Sequence, residues 1–424
     1  MKQLELAEKL MQLLNGLGAE GAQVHIKSSE KHILSMTDGE VDTLATEHST
    51  TASVKLQKGR SFVEKSFSFA REDELPTLAE TAIAELEGAP EDPDDAIFPG
   101  AETADFFDIR SSYDPAAMQK CLMRLKEDTD SVGAVLKTAT LSYEVRTEAL
   151  VSTNGTRYRY EADGYRVSYG AVLEQDGKTL DPFRSHAAFR APEDFRFETG
   201  GLLAQNARLL FGQKKCEPFT GSLLIAPDTL YYLLMDHLFT HLFEGSLLSG
   251  STAWGSSFGQ KICSSRFSAS MDPTGEGVTF GERITMDGCR ALPYDLIRNG
   301  ILQNAITGQK PAKMLKLPAS GNTADNLVLP AGEESLAELL AGIERGVLVF
   351  SYSGDVSPDG TFSGVASTGF LIENGKVTCA LEDCPVSGNW FTVLSGEDFA
   401  FSRERICNGE FVLPWMKIEN ITFS

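Results

Sequence analysis

The segment Thr368–Leu381, TGFLIENGKVTCAL, decides how this chain reads. Asn374-Gly375 stands between two short runs of apolar and β-branched residues. An Asn-Gly pair favours a two-residue hairpin, because both central residues of a type I′ turn need positive φ. The signature recurs at Asp38, Asn154, Asp163, Asp176, Asp287, Asn299, Asp359 and Asn408, each followed by glycine. Leu296–Ile306, LIRNGILQNAI, repeats the flanking pattern as well. Antiparallel sheet is therefore the expected main material.

Helical periodicity is confined to a few stretches. Ala7, Leu10, Met11 and Leu14 follow the i, i+3, i+4 spacing of an amphipathic helix. Further helices are expected over Glu72–Leu86, over Leu202–Phe211 closed by Gly212, and over Leu230–Phe243 with Asp228 or Thr229 as cap. In SLAELLAGIERG, Ser335 and Glu338 form a capping box, with Gly346 as the stop. The expected fold is α+β. An N-terminal α/β region over 1–216 precedes a β-rich, mostly antiparallel C-terminal domain over 217–424, which opens with the strand FTGSLLIAP. Residues 3–88 and 115–212 share an order of helix, strands, helix, the pattern of an internal duplication. The acidic, proline-bearing stretch 89–108 reads as the linker between them.

Composition excludes several classes. The chain has 424 residues, 42% of them hydrophobic, and a formal charge of −22. No stretch approaches the roughly 18 apolar residues of a membrane span. The first 22 residues carry Glu5, Glu8 and Lys9 where a signal peptide needs an apolar run, so a cytoplasmic location is expected. A strongly acidic surface repels phosphate backbones, which argues against nucleic acid as a partner. Seven scattered cysteines without a CxxC pair argue against a disulfide framework or a four-cysteine zinc module.

The stretch with chemistry in it is Asp236–Ser246, DHLFTHLFEGS. His237, His241 and Glu244 would project from one helical face. Two imidazoles at i, i+4 can reach one metal ion. Yet Leu238 occupies the position where a zinc peptidase places its base, directly after the first histidine. Glu244 is a third ligand or a cap. The competing reading is a core helix whose imidazoles are hydrogen-bonded to backbone. Cys407 is a thiolate ligand or nucleophile, or one more buried cysteine. There is no GxxxxGK[ST] loop and no GxSxG elbow, and GEGVTFG (Gly275–Gly281) spaces its glycines wrongly for a dinucleotide fingerprint.

Three stretches carry a resemblance: Met286–Thr323, Asn326–Phe350, and Phe362–Trp390 (FSGVASTGFLIENGKVTCALEDCPVSGNW). Together they resemble the TldD/PmbA (TldE) family, once called modulators of DNA gyrase. The resemblance implies one of two branches. The TldD branch carries HExxxH, a following G-x-E-G and a later cysteine ligand, and is a zinc peptidase. The PmbA/TldE branch lacks that set and pairs with it in a heterodimeric protease for peptide maturation and degradation of unfolded segments. Laid on this pattern, His241 takes the second-histidine position and Glu244 keeps its acid. Asp236 then falls on the first ligand and His237 on the catalytic glutamate. Cys407 lies near the cysteine ligand.

The expectation is a PmbA/TldE-like subunit without metal chemistry of its own and with no cofactor. Its partners would be a TldD-like subunit, or a second copy, and a peptide held on exposed strand edges of the second domain. Two rivals remain. One is an active zinc peptidase using Asp236, His241 and Cys407 or Glu244, with His237 as a substitute base. The other is a non-enzymatic scaffold homodimer.

Overall fold

The computed structural model describes residues 2–195, 197, 200–275, 277–320 and 326–424. Its first half opens with α1 (Lys2–Gly16), β1 (Gly21–Thr37), β2 (Glu40–Lys58), β3 (Ser61–Ser68) and α2 (Leu75–Glu87). Then follow β4 (Thr103–Asp108), α3 (Pro115–Ser131), β5 (Ala134–Ser152), β6 (Arg157–Gln175), β7 (Lys178–Phe189) and α4 (Gly200–Asn206). β1 and β2 are one long hairpin. It turns at Asp38 and Gly39, whose φ values of 48° and 81° suit a type I′ turn. β1 also pairs antiparallel with β5 from Gln23 to Thr37. This pair is the centre of a seven-stranded sheet, β3-β2-β1-β5-β6-β4, with β7 also on β6. Helix, three strands and helix thus occur in the same order on either side of the β1–β5 pair. The stretch 89–108 differs from a plain linker, since its end forms β4, parallel to β6.

One Asp-Gly pair is no turn. Asp163 and Gly164 lie inside β6, and Asp163 is fully buried. Its carboxylate accepts from the Arg110 and Ser111 amides at 2.8 Å, from Ser111 Oγ at 2.7 Å and from Tyr143 Oη at 3.0 Å. Gly164 admits a loop of the second half, because a Cβ there would lie 2.5 Å from Thr279 Cγ2. Phe280 of that loop has the Arg146 and Arg166 guanidinium carbons 4.5 Å and 4.9 Å from its ring centroid. Tertiary contacts override turn propensity here.

The second half begins with β8 (Lys214–Lys215), β9 (Phe219–Ile225), α5 (Pro227–Leu242) and α6 (Glu244–Ser249). It continues with β10 (Ala269–Met271), β11 (Tyr294–Arg298), β12 (Ile301–Leu302), α7 (Gln309–Leu315), β13 (Leu327–Val328) and α8 (Leu336–Ala341). It closes with β14 (Arg345–Val356), β15 (Thr361–Glu373), β16 (Lys376–Glu382), β17 (Cys384–Asn389), α9 (Trp390–Ser395), β18 (Phe399–Cys407) and β19 (Val412–Phe423). These strands form a twelve-stranded sheet in which β19, β9, β14 and β15 are consecutive neighbours. Most of its pairings are antiparallel, and the fold is α+β. The Asn374-Gly375 hairpin joins β15 to β16, with φ of 49° and 75°. The Ser335–Glu338 capping box is present, but α8 stops at Gly342. Gly346 instead lies in β14, where a Cβ would meet the Ser222 carbonyl of β9 at 2.3 Å.

The two halves share a core. Leu136, Tyr169 and Phe183 of the first sheet pack in one cluster with Leu348, Phe370, Ile372 and Trp415 of the second. No described helix is long and apolar enough to cross a membrane.

Replacing Asp163 with alanine removes the acceptor of two backbone amides, the Ser111 hydroxyl and the Tyr143 hydroxyl. The expected loss is about 3 kcal/mol of unfolding free energy, read from the denaturant midpoint. Asp163→Asn, which keeps an acceptor, should lose less.

Candidate functional site

Helix α5 starts without a side-chain cap. Ala226 is the N-cap residue and Pro227 is N1, where its missing N–H costs nothing. Neither expected cap serves. Thr229 Oγ1 donates to the Phe350 carbonyl at 2.7 Å, which ties the helix to β14. Asp228 turns to the other side.

The 3.6-residue turn then divides the helix into two faces. Leu230, Leu234, Leu238 and Leu242 are fully buried on β14 and β19. At roughly 2 kcal/mol each they contribute on the order of 8 kcal/mol. That outweighs the roughly 1–3 kcal/mol that one orphaned polar group costs. Their burial carries His237 and His241 inward as well, both at 0% exposure.

The two imidazoles meet edge to face, with ring centroids 4.8 Å apart. Trp254 and Phe391 close around both rings, and Trp390 lies beside His237. His241 Nδ1 accepts from the Ala253 amide at 3.4 Å. Neither nitrogen of His237 nor Nε2 of His241 has a hydrogen-bond partner among the described residues. Burial holds both below the usual histidine range, and His237 is pushed down to about 3 by burial and then by its neighbour His241. Both rings are neutral at pH 7.

The other candidate ligands lie elsewhere. Asp236 is exposed on the opposite side of α5 and accepts from the Val356 amide at 3.3 Å. Glu244 has left α5 for α6, and its carboxylate accepts from the Gly308 amide at 2.8 Å. Cys407 ends β18, close against Gly277. Among the described residues no three His, Cys, Asp or Glu side chains gather as metal ligands. A catalytic zinc takes three protein ligands and keeps one open position. Two imidazoles sealed in an aromatic cage do not fit that requirement, and no reaction step follows from them.

The outer face of α5 forms one wall of a cleft of about 1520 Å³ between the two halves. Asp228, Tyr232 and Asp236 point along it at i, i+4 and i+8. Tyr232 is 61% exposed. Burial raises the Asp228 carboxyl above its ordinary range, against a counter-effect from His186. The cleft is larger than the roughly 300–1,000 Å³ of a drug-sized pocket.

Two strand edges border it. Among the described strands β7 pairs only with β6, and its outer edge, from Asp181 to His186, faces the cleft. β14 leaves β9 after Val349, and its Ser351, Tyr352 and Gly354 line the opposite side. The Tyr352 hydroxyl is buried and without a partner among the described residues. At one end Glu410 bridges the halves. It bonds Arg166 at 2.5 Å and pairs with His186 at 3.7 Å. His186 and Arg166 hold its carboxyl down at about 2, and Glu410 in turn raises His186.

None of Asp228, Tyr232, His186 and Glu410 was expected as a site residue. The acid–aromatic–acid spacing of the first helix face was visible in the sequence. The pairing of His186 with Glu410 was not, because 224 residues separate them.

Residues 221–424 match the PmbA/TldA metallopeptidase C-terminal domain. A protein named metalloprotease from Methanothermobacter thermautotrophicus is 26% identical, over 91% of this chain and 89% of that one. A zinc metalloprotease TldD homolog from Saccharolobus solfataricus is 28% identical, over 27% of this chain and 30% of that one. Among solved structures, TldE from Thermococcus kodakarensis superposes with a TM-score of 0.82 at 16% identity, covering 99% of this chain and 100% of that one. A candidate modulator of a DNA gyrase from Thermotoga maritima gives 0.83 at 18% identity, covering 99% of both chains.

His237 makes an acid-limb prediction. Its folded pKa lies below the unfolded value near 6.5. The unfolded chain therefore binds the extra proton, and stability is lost as pH falls from about 6.5 toward 3. The slope attributable to this residue is about 1.4 kcal/mol per pH unit. His237→Phe should flatten the acid limb of unfolding free energy against pH by that amount and leave the region above pH 7 nearly level.

Proposed function

We propose that this chain, whose second half matches the PmbA/TldA metallopeptidase C-terminal domain and which is similar over most of its length to a metalloprotease-named relative, is a PmbA/TldE-like member of that family, a subunit that binds peptide without cutting it. The observation that carries this reading is the division of α5. Its imidazoles are enclosed by aromatic rings, its acids face the cleft, and among the described residues no three His, Cys, Asp or Glu side chains gather as metal ligands on either face. Neither face supplies a zinc site with a base to take a proton from bound water. Hydrolysis then belongs to a TldD-like partner with an intact HExxxH helix, or a second copy of this chain forms an assembly without hydrolysis.

The cleft suits an extended chain. An unpaired strand edge offers N–H and C=O groups in alternation, and a peptide can add to it as a further strand. The edges of β7 and β14 are both available, one from each half. Backbone recognition of this kind accepts many sequences, which fits unfolded segments as the bound class.

The α5 stripe adds a preference. Asp228 and Asp236 stand eight residues apart, about 12 Å along the helix. Side chains at i and i+4 of an extended peptide stand about 13 Å apart. A peptide with lysine or arginine at those two positions matches both carboxylates, with Tyr232 beneath the stretch between them. The overall acidic charge acts in the same direction. A cytoplasmic location accords with this role.

The rival reading, an active metallopeptidase, draws on the name of the Methanothermobacter relative. Metal analysis and activity separate the two. Chain purified without chelators should hold well under one zinc per molecule and show no chelator-sensitive peptide hydrolysis. Stoichiometric zinc, with hydrolysis lost on His241→Ala, overturns the proposal. Purification from the native host should recover an HExxxH-bearing chain if the subunit reading holds; recovery of this chain alone favours the homodimer.

Peptide selectivity gives a second test. Asp228→Asn with Asp236→Asn should weaken binding of a Lys-i, Lys-i+4 peptide about tenfold, at roughly 0.7 kcal/mol per lost ion pair. A neutral peptide should bind both proteins alike. Added salt should weaken the lysine peptide and leave the neutral one nearly unchanged.

A further inference from the structure

Cys216 and Cys384 stand thiol against thiol, with their Sγ atoms 2.8 Å apart. They are 168 residues apart in sequence. Cys216 is partly exposed, in the short stretch connecting β8 to β9 at the start of the second half. Cys384 is fully buried at the first position of β17. We propose that this pair is a reversible oxidation site that closes to an intramolecular disulfide and clamps the connecting stretch to the second sheet.

The backbone holds the two residues in place. β8 runs parallel to β16, with Lys214 opposite Leu381 and Lys215 opposite Glu382. Cys216 follows directly. Asp383, in the left-handed region at φ 38°, turns the chain so that Cys384 comes back to the same place. An S–S bond measures about 2.05 Å, so the sulfurs need approach by only about 0.75 Å. Two thiols in contact across a two-residue strand pair give the clamp a geometric basis that a lone cysteine lacks.

The oxidant is a low-molecular-weight disulfide, RSSR. The Cys216 thiolate, the reachable one, attacks one sulfur of RSSR. The S–S bond of RSSR breaks, and one RS⁻ leaves and takes up a proton. Cys216 now carries a mixed disulfide. The Cys384 thiol then gives up its proton and attacks the Cys216 sulfur, and the second RS⁻ leaves and is protonated. Two protein thiols are oxidised by two electrons, and one RSSR is reduced to two RSH. Access sets the order. Burial and the neighbouring Cys216 raise the Cys384 thiol well above the usual cysteine range, so the second step should quicken as pH rises. The closed bond spans a long loop, the case in which a crosslink restricts the unfolded chain most.

The test uses the whole chain, folded, with oxidised glutathione at pH 8.5. Free thiols are counted after denaturation, and linked peptides are identified by mass. Cys216 and Cys384 should both lose their thiols to a single crosslinked peptide that joins them, with any glutathione on the exposed Cys407 counted separately by mass. Dithiothreitol should restore all seven. Cys384→Ser should stop at a glutathione adduct on Cys216, and Cys216→Ser should leave Cys384 a free thiol. The crosslinked protein should also melt a few degrees higher than the reduced one. The proposal is overturned if the wild-type chain keeps seven thiols. It is equally overturned if the wild-type chain ends with an uncrosslinked adduct on Cys216, or joins other cysteines.

Discussion

The rotation of α5 about its own axis governs the arrangement around it. Four leucines at four-residue spacing, all fully buried, fix that rotation against β14 and β19. Once they are seated, every other residue on the helix has its direction assigned. His237 and His241 follow the leucines inward. Asp228, Tyr232 and Asp236 follow one another outward. A carboxylate at position 236 and an imidazole at 241 cannot then approach one point from the same side, since five residues turn through about 140° beyond a full turn. The apolar stripe sets where the polar groups go, and the polar groups adjust by being neutral or by facing the cleft.

Much of the fold was legible because its signals are local. The type I′ turns at Asp38, Asp176, Asn299 and Asn374 all have the positive φ pair that their sequences predict. The Ser335 capping box is another local signal, complete within four residues. The misreadings fall where distant chain segments meet. Asp163-Gly164 looked like a turn and is the middle of a strand, because Thr279 and Phe280 need the space at Gly164. Gly346 looked like a helix stop and is a close strand crossing at Ser222. The end of the presumed linker became β4 because β6 had a free edge beside it.

The site was half legible for the same reason. Spacing on one helix identified His237 and His241 as neighbours, and the family resemblance directed attention to Asp236. Neither could supply the aromatic walls, which come from Trp254 on one distant segment and from Trp390 and Phe391 of α9 on another. Nor could they supply the cleft, whose far side is β7 of the first half. The cleft is a property of the seam between halves, and a seam is invisible to periodicity.

The seam is also stiff. Phe280 reaches across from the second half to lie beside Arg146 and Arg166, Glu410 ties β6 to the second sheet, and a common apolar core runs beneath both. Three fastenings of different chemistry thus cross it. These contacts set the width of the cleft when the chain folds. For the proposed peptide, the cost of ordering would then fall on the peptide, which straightens to enter a cleft whose walls are already fastened together.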